Sequence, residues 1–155
     1  MTMDRSSRFN RRQLLAGAGG AIFISTTPLS AWAAQADMDR ARLDLFGDRP
    51  VQEGRVTVKL PPIAENGHSV ALSVSVDSPM SADNYVKRIA ILSPRNPLAT
   101  IAVFHLTPHS GMAEVSTRIR MSGTQRIVAI AEMNNGSLWS GGMETLVTLA
   151  ACVLQ

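Results

Sequence analysis

Cys152 is the one residue whose type and position suggest covalent chemistry. It is the only cysteine in a chain of 155 residues and stands three residues from the end. A single cysteine excludes an internal disulfide framework and a metal-binding cysteine pair. A lone cysteine at a terminus is read as a reactive thiol or an intermolecular partner, because a chain end can reach another protein. Leu146 to Leu154 is nearly all apolar, so a small buried core residue is the competing reading. No basic side chain lies within ten residues of Cys152 to lower its pKa through local sequence. Cys152-Val153-Leu154-Gln155 also matches a prenylation box, a four-residue pattern of low specificity that conflicts with the leader described below.

Other constellations are weaker. No G-x-S-x-G motif supplies a nucleophile elbow. His68, His105 and His109 are scattered over turn-like sequence, where solvated side chains are expected. Met80, Met112, Met121, Met133 and Met143 raise the alternative of a soft Cu(I) site. Period-2 alternation instead places Met121 and Met133 in the core as gap fillers. Gly141-Gly142 lies inside a strand pattern and marks a bulge or a close backbone approach. No metal or other cofactor is expected.

The elements that must position Cys152 follow from composition and periodicity. The chain is 45% hydrophobic and 17% charged, enough for one packed domain with a core of Val, Ile, Leu, Ala and Met. The net charge of +3 is misleading. Arg5, Arg8, Arg11 and Arg12 face only Asp4 before residue 34, and beyond it 11 basic side chains balance 11 acidic ones. A neutral body lacks the basic face that nucleic-acid binding needs.

Residues 1–33 read as an export signal. Arg11-Arg12 open it, a Gly- and Ala-rich apolar stretch follows, and Ala31-Trp32-Ala33 presents a small-x-small cleavage site before Ala34. Paired arginines with weak hydrophobicity point to the twin-arginine route and a periplasmic destination, although Asn10 stands where Ser or Thr is usual. The apolar stretch is too short to span a bilayer, so no membrane span is expected after cleavage. The mature domain is then 34–155.

Within it, residues 37–46 suit a short helix stopped by Gly47. Seven strand-like runs follow at 54–60, 69–77, 85–93, 98–106, 113–121, 125–133 and 137–149. Asn135-Gly136 is the clearest hairpin signal. The pattern predicts an all-β, immunoglobulin-like antiparallel β-sandwich of about seven strands, preceded by a short N-terminal helix.

Several segments then carry a resemblance. Among them are Leu45-Phe46-Gly47-Asp48, Leu60-Pro61-Pro62-Ile63-Ala64-Glu65-Asn66-Gly67, Val74-Ser75-Val76-Asp77-Ser78-Pro79-Met80, Ala102-Val103-Phe104-His105-Leu106-Thr107-Pro108 and Gly111-Met112-Ala113-Glu114-Val115. Together they resemble SoxY, the sulfur-carrier family of the periplasmic thiosulfate-oxidising system. The resemblance implies a carrier acted on by enzymes, not an enzyme itself. It implies a heterodimer with a SoxZ-like β-sandwich subunit. It also implies a SoxAX-like haem enzyme that loads thiosulfate, a SoxB-like thiohydrolase that releases sulfate and, in some systems, a sulfur dehydrogenase. Cys152 is the residue that matches the carrier cysteine. The tail departs from the family, which places two glycines on each side of the cysteine. Here Ala150-Ala151 precede it and Val153-Leu154-Gln155 follow. Ala and β-branched Val are stiffer than glycine, which keeps a diverged binding module without carrier activity as the alternative.

Overall fold

The computed structural model describes residues 29–151, with side chains from residue 35. A helix, α1 (Leu29–Phe46), leads into strands β1 (Val51–Glu53), β2 (Val56–Lys59), β3 (Ile63–Ala64), β4 (Val70–Val76) and β5 (Val86–Leu92). Then come β6 (Thr100–His105), a 3-10 turn at Pro108–Ser110, β7 (Glu114–Ile119), β8 (Gln125–Met133) and β9 (Leu138–Val147). The larger sheet has the order β1-β9-β8-β5-β6, with β3 also paired to β9. The smaller sheet has the order β2-β4-β7.

The two sheets face each other because their strands alternate. In β4, Val70, Leu72, Val74 and Val76 turn inward, and Ala71 faces solvent. Their opposites on the larger sheet are Ile89, Ile91, Ile127, Ala129, Ala131 and Met133, all in the same core cluster. Alternation fails in β5 and β8 for a clear reason. Their outer residues Ala90, Leu92 and Ile130 are buried too, beneath Phe46 with Met38, Ala41 and Leu45 of α1. A sheet covered on both faces reads as a continuous apolar run.

The all-β sandwich and its leading helix are as the sequence predicts, with three corrections. The helix begins at Leu29, not at residue 37, because the Ala-rich run before Asp37 propagates it. It stops at Gly47, whose φ of 69° lets its N–H bond the Leu43 carbonyl at 2.7 Å. Nine strands, not seven, lie among the described residues, because β1 and β3 are three and two residues long and too short to show a period. Both pair parallel to β9, so the fold is not wholly antiparallel.

The β8–β9 hairpin turns where Asn135-Gly136 places it. Only Gly136 takes a positive φ, 84°, and its N–H bonds the Met133 carbonyl at 3.0 Å. Gly141 and Gly142 bring no bulge, since β8 and β9 stay in unbroken register from Gln125↔Thr145 to Glu132↔Leu138. They mark a close approach. A Cβ on Gly141 would lie 2.0 Å from the Val56 carbonyl oxygen, where the chain passes from one sheet to the other.

One ionic cluster ties the helix to the sheet. Glu132 is buried, with Arg49 at 2.9 Å and Arg88 at 2.7 Å. Arg88 also donates to the Leu45 carbonyl and lies 4.6 Å from the centre of the Phe46 ring. Arg49 donates to the Phe46 carbonyl at 2.7 Å. The two arginines therefore supply partners for the last carbonyls of α1, which the helix itself leaves unpaired. Burial pushes the Glu132 carboxyl up, and the hydrogen bonds and charges of both guanidiniums outweigh it, holding the group below its ordinary range.

Candidate functional site

Cys152, Arg11 and Arg12 lie outside the described residues, as do Val153 to Gln155. Ala33 and Ala34 lie within α1. Among the described side chains of α1, those that pack on the sheet begin at Met38, beyond the expected cleavage point. What the structure does show is the base from which the cysteine departs, the segment from Leu146 to Ala151.

This segment leaves β9 between two others. On one side, the Leu146 N–H donates to the Pro62 carbonyl at 3.0 Å and the Thr148 N–H to the Ala64 carbonyl at 3.1 Å. The Thr148 hydroxyl donates to the Glu65 carbonyl. On the other side, the Val147 N–H donates to the Thr124 hydroxyl at 2.9 Å. Regular strand ends at Val147, short of the expected residue 149, yet backbone bonding continues. The Gly67 N–H donates to the Leu149 carbonyl at 2.7 Å, and the Ala151 N–H donates to the Met121 carbonyl at 3.0 Å. The Met121 N–H donates to the Gly67 carbonyl at 2.9 Å and joins the two sides.

The sequence explains each piece. Pro61-Pro62 interrupts pairing after β2 and turns the chain toward β9. The Asn66 side chain accepts the His68 N–H at 3.1 Å, an Asx turn that leads the chain through Gly67 into β4. Gly67 is buried between exposed neighbours. The Met121 side chain is fully buried and anchors the carbonyl that receives Ala151. Ile63 and Leu146, cross-strand partners, are 60% and 49% exposed, and Leu149 is 61% exposed. Aliphatic surface thus borders the chain just before Cys152.

The remaining candidates do not join this region into a catalytic centre. His68, His105 and His109 are exposed on separate turns and strand ends. Met121, Met133 and Met80 are buried in the core, Met143 packs against it, and Met112 is exposed. The Met143 sulfur accepts the Leu60 N–H at 3.3 Å and the Met80 sulfur accepts the Val86 N–H at 3.4 Å. Their placement is that of core packing and not of a converging ligand set. Among the described residues, no three His, Cys, Asp or Glu side chains gather where a metal ion could sit. No described helix is long and apolar enough to cross a membrane.

In sequence, Asn66-Gly67 has the composition of an ordinary turn, and the contact of Gly67 with the tail does not show there. The available signal was a glycine whose neighbours on both sides are polar and exposed, which does not distinguish a turn from a packing contact.

Comparison with known proteins completes the picture. Residues 42–152 match the family of the sulfur oxidation protein SoxY, a match that runs through to Cys152. The solved structure of the sulfur carrier protein SoxY from Chlorobium limicola f thiosulfatophilum is 32% identical. That similarity covers 74% of this chain and 99% of the other, with a TM-score of 0.63. A superoxide reductase (neelaredoxin) from Ignicoccus hospitalis is 17% identical over 61% of this chain and 80% of its own, with a TM-score of 0.54. A putative superoxide reductase from Thermotoga maritima is 15% identical over 62% of this chain and 86% of its own, with a TM-score of 0.52. These last two share the sandwich fold alone. No curated protein matches the chain. The match over residues 42–152 and the 32% identity to a solved relative place the chain in the SoxY family.

Proposed function

We propose that this chain is a periplasmic sulfur carrier that holds thiosulfate-derived sulfur on Cys152 while partner enzymes act on it. The observation that carries the proposal is the family match, which ends at the chain's single cysteine. A relative described as a sulfur carrier, alike over nearly its whole length, supports it.

The chemistry asks little of the sandwich. A thiolate and thiosulfate join through a new S–S bond, with loss of two electrons to a haem enzyme of SoxAX type. The product is a cysteine S-thiosulfonate. Water then attacks its terminal sulfonate in a SoxB-type enzyme, releasing sulfate and two protons and leaving a persulfide anion. In some systems a sulfur dehydrogenase oxidises that remaining sulfur. The carrier supplies a thiol at a reachable terminus on a stable scaffold. It is the substrate of those enzymes and performs no turnover of its own.

Export fits the same reading. Residues 1–33 form a twin-arginine leader recognised through Arg11 and Arg12 and cut between Ala33 and Ala34. Such a cut removes none of the α1 side chains that pack on the sheet from Met38 onward. A SoxZ-like β-sandwich subunit completes a heterodimer.

The test is intact mass with and without reductant, on protein taken from cells oxidising thiosulfate. Adducts of thiosulfate or sulfane sulfur that map to Cys152, vanish on reduction and are absent from Cys152→Ser are the expected result. A clean mature mass, or full thiosulfate oxidation by the serine variant in a reconstituted system, overturns it.

A further inference from the structure

We propose that the backbone junction of Gly67 and Met121 is a clamp that fixes the chain on the sandwich at Ala151, directly before the carrier cysteine. The inference rests on the reading of Cys152 as the carrier thiol and adds what limits its reach.

Three backbone hydrogen bonds close the junction, from Gly67 to Leu149, from Met121 to Gly67 and from Ala151 to Met121. They lie beyond the end of β9, so the sheet does not require them. Gly67 is needed for space and not for backbone conformation, since its φ is not in the left-handed range. A Cβ there would lie 2.1 Å from the Met121 carbonyl oxygen and 3.1 Å from the Ala151 nitrogen. The obstructed oxygen is the one that receives the Ala151 N–H. That carbonyl cannot easily yield, because the Met121 side chain is fully buried in the core.

Without the clamp, Leu149 to Ala151 could leave the sandwich and extend the reach of the chain beyond them by about 10 Å. Each freed residue adds conformations that must be given up when the thiol enters an enzyme. The clamp therefore sets the point on the sandwich from which the thiol is presented. Gly67 is a positioning residue in this scheme.

Cys152 is the only cysteine, so a nitroxide thiol reagent labels one site. In the wild-type protein the label is expected to show restricted motion and to broaden most strongly the amides of 146–151, 64–67 and 121–124. In Gly67→Ala the spectrum should sharpen to fast motion, and the Ala151 amide should exchange about tenfold faster. Ile89→Ala, a fully buried core variant in β5 and far in sequence from the junction, loses stability and should leave the label spectrum unchanged. A Gly67→Ala spectrum like wild type, or equal sharpening in Ile89→Ala, overturns the clamp. Should Gly67→Ala fail to fold, amide exchange in the wild type decides. Protection at Ala151 supports the clamp, and exchange there as fast as at Val153–Gln155 overturns it. None of these readouts requires thiosulfate, so a clamp without loading refutes only the carrier reading, and loading without a clamp refutes only this inference.

Discussion

Replacing Glu132 with Gln keeps the shape of the side chain and removes its charge from between two guanidiniums. Glu132 is only 7% exposed, with one oxygen 2.9 Å from Arg49 and the other 2.7 and 3.0 Å from two nitrogens of Arg88. Losing one member of a buried ionic cluster costs about 3–5 kcal/mol when the remaining charge is sealed from water. Here the Arg49 side chain is 38% exposed and Arg88 keeps the Leu45 carbonyl and the Phe46 ring. Solvent relieves part of the cost, so the expected loss is about 2–3 kcal/mol. Urea unfolding at pH 7 should show a midpoint lower by about 1–2 M, for a slope typical of a small domain. The pH dependence is a sharper check. The carboxyl is held below its ordinary range when folded, so its contribution is complete above the unfolded value of about 4.3. It is lost as pH falls through the depressed folded value. The gap between wild type and Glu132→Gln should therefore stay constant from pH 7 to about pH 5 and close in stronger acid. A variant as stable as wild type at pH 7, or a gap that persists undiminished in acid, would refute the argument that paired charge secures α1.

Two further substitutions probe the sandwich itself. Gly141→Ala drives a methyl to within 2.0 Å of the Val56 carbonyl oxygen and should cost about 3 kcal/mol in chemical denaturation, while Asn135→Ala in the nearby exposed turn should cost less. Thr145→Val should gain about 1 kcal/mol, because the Thr145 hydroxyl is fully buried without a hydrogen-bond partner among the described residues and Val has the same shape; a loss of stability on thermal melting would point to a bridging water.

Much of the fold is legible because one face of most strands meets solvent. Val56 and Val58 alternate with exposed Thr57 and Lys59, and that two-residue period identifies both the strand and its inner face. Legibility falls where long-range pairing does the work. Val51–Glu53 forms a strand only because Leu138–Ser140 lies parallel beside it, and Ile63-Ala64 only because Leu146-Val147 does. The α1 start at Leu29 was hidden differently. The Ala-rich run favours helix and also fits a small-residue cleavage pattern, and composition cannot choose between them.

The site divides along the same line. A lone cysteine in an apolar tail is visible in any reading of the chain, and the family resemblance adds its departure from a glycine-flanked arm. The meaning of Ala150-Ala151 is not visible there. Viewed as part of a flexible arm, two alanines are a defect, since each restricts the backbone more than glycine does. The structure assigns them to the scaffold. Ala151 is bonded to the Met121 carbonyl, which lies 30 residues earlier in the sequence, and that bond depends on the absence of a side chain at Gly67. Stiffness is no handicap for a residue that stays on the sandwich. On the carrier reading, the demand for a pliable arm starts beyond Ala151, and Val153 is the first β-branched residue after it.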